Sequence, residues 1–157
     1  MKCAEEFERI GDLSKNLIDS SKNLHEDGVD LSDSAKYELQ VTSEMLLKII
    51  GLAIESIKTK DVTIARKIEP IEEAVDEVCE YLRNRHVERL KVGECNAEAG
   101  SEFLDMLVNI ERISDQCSNV GVHTLSLYDP KIAHAQHEYL NYLHKGADEA
   151  FNQEYKA

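Results

Sequence analysis

One short block occurs twice in this chain: residues 8–16 read ERIGDLSKN and residues 111–119 read ERISDQCSN, 103 positions apart. Glu8, Arg9, Ile10, Asp12 and Asn16 match Glu111, Arg112, Ile113, Asp115 and Asn119 one for one. Around each copy runs the same apolar or small stripe. Cys3, Phe7, Ile10, Ser14, Leu17 and Leu24 stand where Met106, Ile110, Ile113, Cys117, Val120 and Leu127 stand in the second copy. Alternating three- and four-residue spacing places such a stripe along one side of an α-helix. The Glu and Asp beside it, four apart, then share a face. Two helices of one design imply an internally repeated helical protein with a repeated carboxylate pair.

The rest of the sequence fits long helices joined by short loops. The chain has 157 residues, two prolines, seven glycines, no Trp and 31% charged residues, which suits one mostly helical domain with a genuine core. The first helix is expected from about residue 2 to 24, followed by an acidic loop around Gly28. Ser32 or Asp33 can cap a second helix reaching about residue 59. Asp61 or Thr63 opens a third, expected over 62–92, with Ile64, Ile68, Ile71, Val75, Val78 and Leu82 as its stripe. Gly93 ends it, Asn96 offers the next cap, and a fourth helix is expected over 97–127. Asp129-Pro130 stops that helix and caps a short fifth at 131–144. Helices near 30 residues with short connections pack as antiparallel neighbours. The fold class is therefore all-α, an up-and-down antiparallel helical bundle of four long helices plus a short C-terminal one. Ile68, Ile71, Val75, Val78, Ile110 and Ile113 are its expected shared core. Pro70 has two readings: a kink inside the third helix, or a place in the first turn of its well-formed part.

The net charge of −13 disfavours nucleic acid and anionic membrane surfaces as partners and favours metal cations or a basic protein. Cys3, Cys79, Cys95 and Cys117 have no zinc-ligand spacing and read as reduced, packed thiols of a cytosolic chain. No signal peptide is visible, and the longest apolar run, Met45 to Ile54, is too short to span a bilayer. No direct membrane insertion is expected of this chain. Nucleophile elbows, phosphate loops and ferritin-type Glu-x-x-His motifs do not occur, so catalysis has no positive support. His134 and His137, three apart, lack an acidic or thiol partner for a metal. His86, near the end of the third helix, can interact with its last carbonyls.

What remains is the carboxylates. Glu72 and Asp76 are four apart on the third helix, as Glu111 and Asp115 are on the fourth. Antiparallel helices about 8–10 Å apart would let the four converge. Such pairs are most often solvated faces. Gathered together, they repel unless a hard cation such as Mg²⁺, Mn²⁺, Ca²⁺ or iron bridges them.

At these residues the chain resembles the PhoU family of phosphate-uptake regulators. The segment Asn109-Ile-Glu-Arg-Ile-Ser-Asp115 with Asn119 is similar to the family's third-helix signature. Glu72-Glu-Ala-Val-Asp76 is similar to its second-helix partner, and Glu8-Arg-Ile-Gly-Asp12 to the third helix of a preceding repeat. Arg66-Lys-Ile-Glu-Pro-Ile-Glu72, Arg85-His-Val-Glu-Arg-Leu-Lys-Val-Gly-Glu-Cys95 and His137-Glu-Tyr-Leu140 resemble the PhoU-like C-terminal domain of bacterial Na⁺/phosphate cotransporters more closely.

The resemblance implies three-helix repeats whose acidic motifs hold metal (iron, Mg, Mn, Ca or Zn), here through Glu72, Asp76, Glu111 and Asp115, with Glu8 and Asp12 as a second set. It divides the chain into residues 1–28, the last helix of a truncated first repeat; 29–128, a complete three-helix repeat; and 129–157, a short helix and tail. Such a truncation suggests a fragment of a longer protein and leaves Glu8 and Asp12 without a partner pair unless a second subunit, as in a homodimer, supplies one. The implied function is regulation of phosphate uptake by a cytoplasmic domain tethered to a membrane-spanning transporter part. A free-standing signalling adaptor and a carboxylate-bridged metalloenzyme are the alternatives.

Overall fold

The computed structural model describes residues 2–128, all of the regular structure being helical. The helices are α1 (Lys2–Glu26), α2 (Asp33–Thr59), α3 (Val62–Ala65), α4 (Ile68–Lys91) and α5 (Ala97–Tyr128). The expected fifth helix at 131–144 and the tail after it lie outside the described residues.

Helix ends follow from local chemistry. At Gly28 (φ 64°) and Gly93 (φ 73°) the backbone turns left-handed, a conformation that costs glycine little. In both places the amide two residues past the turn of helix reaches back, Val29 to the Leu24 carbonyl at 3.0 Å and Glu94 to the Arg89 carbonyl at 3.0 Å. These bonds satisfy carbonyls the helix would otherwise leave open. Ser32, with extended backbone, caps α2: its hydroxyl accepts from the Ala35 amide at 3.3 Å. Ser32→Ala should lower stability by about 1 kcal/mol in urea unfolding, the usual cost of a lost serine cap. No measurable change would mean that water serves the amide equally well.

The expected third helix is two. A short α3 ends at Ala65, Arg66 and Lys67 form a turn, and α4 starts afresh at Ile68. Pro70 therefore stands in the first turn of α4, where its missing N–H would have had no helical partner. No kink is needed. The turn at 66–67 is where the continuous stripe expected over 62–92 is broken.

Helix directions can be read from side-chain pairs. The Asn16 amide donates to Asn109 at 3.1 Å, the Asn23 amide donates to Glu102 at 3.0 Å, and His123 lies 3.8 Å from Glu6. Ascending positions on α1 meet descending ones on α5, so the two are antiparallel. The Ser118 hydroxyl donates to Glu69, and the His86 ring lies tilted against Phe103, which makes α4 antiparallel to α5 as well. Ser56 and Thr124 meet at the far end of α2 and α5, which run parallel. The result is an up-and-down bundle in which α5 packs against every other helix.

The core is one main cluster, with a small second one where Ala65 meets Leu125. Ile49, Ile68, Val75, Cys79, Phe103, Leu107, Ile110, Ile113, Cys117 and Val120 are buried, with Ile71 beside them and Val78 packed at the edge. Ile10 joins from α1. The two copies of the stripe differ in cover: Met106, Ile110, Ile113 and Cys117 are buried on α5, while Cys3, Phe7, Leu17 and Leu24 on α1 are only half-buried. Among the described residues, α2 and α4 flank α5 as a pair, and α1 packs chiefly on α5. Gly121 allows closest approach where α5 passes the α3–α4 turn, since a Cβ there would meet Ile68 Cδ1 at 3.0 Å and the Ala65 carbonyl at 3.3 Å.

Candidate functional site

The restart of α4 at Ile68 decides what faces α5. From that start, Glu69, Glu72 and Asp76 follow at three- and four-residue spacing and lie on one side of the helix. Glu69 and Glu72 are buried, whereas Asp76 and Asp115 are half-buried. Antiparallel packing brings Asp115 of α5 to the same place. One carboxylate oxygen from each of Glu72, Asp76 and Asp115 lies within 4.8 Å of the others. The Ser118 hydroxyl, one turn along α5, donates to Glu69 at 2.5 Å and holds that carboxylate beside the group.

Burial of so many acids is tolerated because they do not all ionise. Desolvation, then the charges of Glu69, Asp76 and Asp115, push the Glu72 carboxyl up to about 9, and it is hydrogen-bonded to Asp115. Glu72 is therefore protonated at neutral pH and can donate to Asp115. A proton shared between acids is one answer to crowded negative charge. The positive end of the α4 dipole, at Glu69, is a second.

The same geometry suits a cation. Oxygens bound to one Mg²⁺- to Ca²⁺-sized ion at about 2.1–2.4 Å cannot be more than about 4.2–4.8 Å apart. Glu72, Asp76 and Asp115, within 4.8 Å of one another, meet the upper, Ca²⁺-sized limit as they stand, and a smaller ion would draw them closer. An all-oxygen donor set matches hard ions and discriminates little among them.

Two parts of the expected site are placed otherwise. Glu111 is ion-paired with Arg83, two turns beyond Asp76 on α4, and stands outside the three-oxygen group. The guanidinium neutralises the carboxylate that would have been the fourth ligand. Glu8 and Asp12 are exposed on α1, and no carboxylate group gathers around them among the described residues. Asn119 is half-buried one turn past Asp115, as expected from the spacing.

Sequence reasoning passed over Glu69 and Ser118. Glu69 reads as an ordinary first-turn acid, yet its three-residue spacing to Glu72 was a usable signal. It also passed over Glu38, buried on α2, whose Oε1 accepts from Arg89 Nη1 at 2.8 Å and lies 3.4 Å from Arg85 Nη1. Those partners are about 50 residues apart, so spacing carries no hint of them. His86 is not at the helix-end carbonyls but is buried, its ring centroid 5.4 Å from that of Phe103.

A family model, the PhoU domain, matches residues 40–123, a span that contains Glu69, Glu72, Asp76, Glu111, Asp115 and Ser118 and leaves out Glu8 and Asp12. Over 120 residues, 76% of this chain, the sequence is 27% identical to the phosphate-specific transport system accessory protein PhoU homolog 1 of Thermotoga maritima. The chain spans about half the length of that relative, 51%. No solved structure matches it significantly. Among the described residues, no helix is long and apolar enough to cross a membrane.

Proposed function

The chain belongs to the PhoU domain family, and from that premise we propose that it is a regulatory module of a phosphate transport system, with a cation site at Glu72, Asp76 and Asp115. The observation that carries this reading is coincidence. The three carboxylates that meet across α4 and α5 all fall within the span matched to the family. Glu72, Asp76 and Asp115 would hold the ion, with Glu69 and Ser118 beside them. A bound cation would supply charge neutralisation there, joining α4 to α5 in place of the shared proton. Regulation is the natural use of such a group: it changes how two helices are held together without providing a reacting centre.

Two settings fit. The module can be the cytoplasmic part of a Na⁺/phosphate symporter, tethered at the inner face of the membrane, as the likeness of Arg66–Glu72 and Arg85–Cys95 to such domains suggests. It can also be a free-standing adaptor, for which the accessory-protein name of its relative speaks. We favour the symporter setting on the α4 segments. The complete reading frame separates them, since membrane-spanning helices on the same polypeptide support the first and their absence supports the second.

The site itself is tested by thermal melting with added Mg²⁺, Mn²⁺, Fe²⁺ or Zn²⁺. An ion that binds only the folded chain raises the melting temperature with its concentration. Asp76→Asn with Asp115→Asn should abolish that rise, while Glu111→Gln, which removes a carboxylate already paired with Arg83, should leave most of it. A melting temperature indifferent to all four ions would overturn the cation site. Equal losses in both variants would overturn its assignment to these three residues.

A further inference from the structure

Beneath the loop that joins α4 to α5 lies a small cavity of about 170 Å³ that shares no lining residue with the group of Glu72, Asp76 and Asp115 and is lined in part by Asp30, His86, Glu94, Cys95 and Phe103. Cys95 is half-buried; its Sγ is 3.7 Å from His86 Nδ1, and its thiol also reaches the Asn96 carbonyl at 3.4 Å, to which it can donate. The imidazole is 1% exposed, and its other nitrogen, Nε2, has no hydrogen-bond partner. That nitrogen is pressed against Gly100, where a Cβ would stand 2.6 Å from it. Phe103 backs the ring on one side. The ring is thus fixed with Nδ1 towards the thiol. In the Nε2–H tautomer the Nδ1 lone pair faces the sulfur. Burial, then the positive charge of Arg89, lowers the affinity of His86 for a proton against a smaller opposing effect of Glu38, so the resting ring is neutral and a proton it takes is held only in passing.

The other thiols are built differently. Cys79 and Cys117 are fully buried, and burial pushes them up to about 11 and about 12. Cys3 is raised too, by burial and then by the charge of Glu6. Thiol chemistry requires the thiolate, and it requires access. Among the described residues, Cys95 has a fixed imidazole beside it and a cavity next to the sulfur.

We infer that Cys95 and His86 form an oxidation site whose substrate is a small uncharged hydroperoxide. His86 Nδ1 takes the thiol proton as the sulfur attacks one peroxide oxygen. The S–O bond forms and the O–O bond breaks. The proton then passes to the departing oxygen, giving water when the oxidant is hydrogen peroxide. Sulfur is oxidised by two electrons to a sulfenic acid, and the peroxide is reduced by two. Asp30 and Glu94 line the same cavity, which disfavours anionic oxidants and favours a neutral one. The cavity has room for the added oxygen.

Hydrogen peroxide and dimedone, applied to the full chain and followed by peptide mass mapping, test this. Cys95 should carry the sulfenic adduct at least about tenfold faster than Cys3, Cys79 or Cys117. His86→Gln removes the base, and Gly100→Ala drives a Cβ against the ring and turns it from the sulfur. Each should slow Cys95 by about tenfold relative to Cys3 in the same molecule. Labelling of Cys79 and Cys117 would reveal a variant whose core has opened, and the other variant then decides. If both open, the ranking in the unaltered chain decides alone. Cys95 labelling no faster than Cys3, or at an unchanged rate in a folded variant, overturns the inference.

Discussion

Glu72→Gln should flatten the pH dependence of stability between about pH 5 and pH 9. In the folded chain, burial and the charges of Glu69, Asp76 and Asp115 raise the Glu72 carboxyl from 4.5 to about 9. Unfolded, it titrates near its ordinary value. Between those limits the folded form holds a proton that the unfolded form has released. Stability therefore falls as pH rises through this window, at up to about 1.4 kcal/mol per pH unit. Glutamine keeps the shape and a hydrogen-bond donor towards Asp115 but cannot ionise. Urea unfolding at pH 5, 7 and 9 should show the unaltered chain losing stability steadily while Glu72→Gln loses much less. Parallel profiles would mean that Glu72 ionises in the fold as readily as in the open chain. The net charge of −13 weakens both proteins as pH rises, so the difference between them is the quantity to read. A cation has to displace the same proton, and any metal-dependent gain in melting temperature should grow with pH in this range.

Glu38→Ala is the second large effect, an expected loss of about 3–5 kcal/mol. Glu38 and Arg89 are both buried, 2.8 Å apart, and the Arg89 guanidinium is also 5.4 Å from the Phe103 ring centroid. Removing the carboxylate leaves that cation in the interior without its counter-charge. The pair is costly to break and not especially favourable to have, because Glu38 Oε2, Arg89 Nε and Arg89 Nη2 lack hydrogen-bond partners. Glu38→Leu combined with Arg89→Met should therefore be far closer to the unaltered chain than either single change. Urea unfolding of the three variants is the measurement. A double variant as unstable as Glu38→Ala would show that the ion pair itself contributes strongly.

Helix positions were legible because they rest on local rules. Gly28, Ser32 and Gly93 each act through their own backbone or a neighbour within a few residues, and the expected ends agree with the observed ones within two residues, except at the break between Ala65 and Ile68, which was not expected. The shared core of Ile68, Ile71, Val75, Val78, Ile110 and Ile113 was legible because a buried stripe has a period. Of the site, the meeting of Glu72 and Asp76 with Asp115 followed from the same periodicity on antiparallel neighbours. Glu111 was read without weighing Arg83, although Arg83 is seven residues beyond Asp76 and so returns to the same face. Glu38 with Arg89, and Cys95 with His86, depend on how helices and loops converge in space. Neither pair has a sequence spacing that announces it.

One consequence lies in how α1 is attached. It rests chiefly on a single neighbour, α5, through buried Ile10, the half-buried Phe7, Leu13 and Leu17, and polar ties such as Asn16 to Asn109. A helix that bears on one neighbour can part from it as a unit, because its loss separates none of the other helices from one another. Its departure would bare the buried face of α5 around Ile113, yet leave α2, α4 and α5 joined to one another. The carboxylate group, whose members come from α4 and α5 alone, would stay assembled. The molecule thus carries on one flank a helix that bears chiefly on α5, while its acidic centre is shared by two helices that hold each other without it.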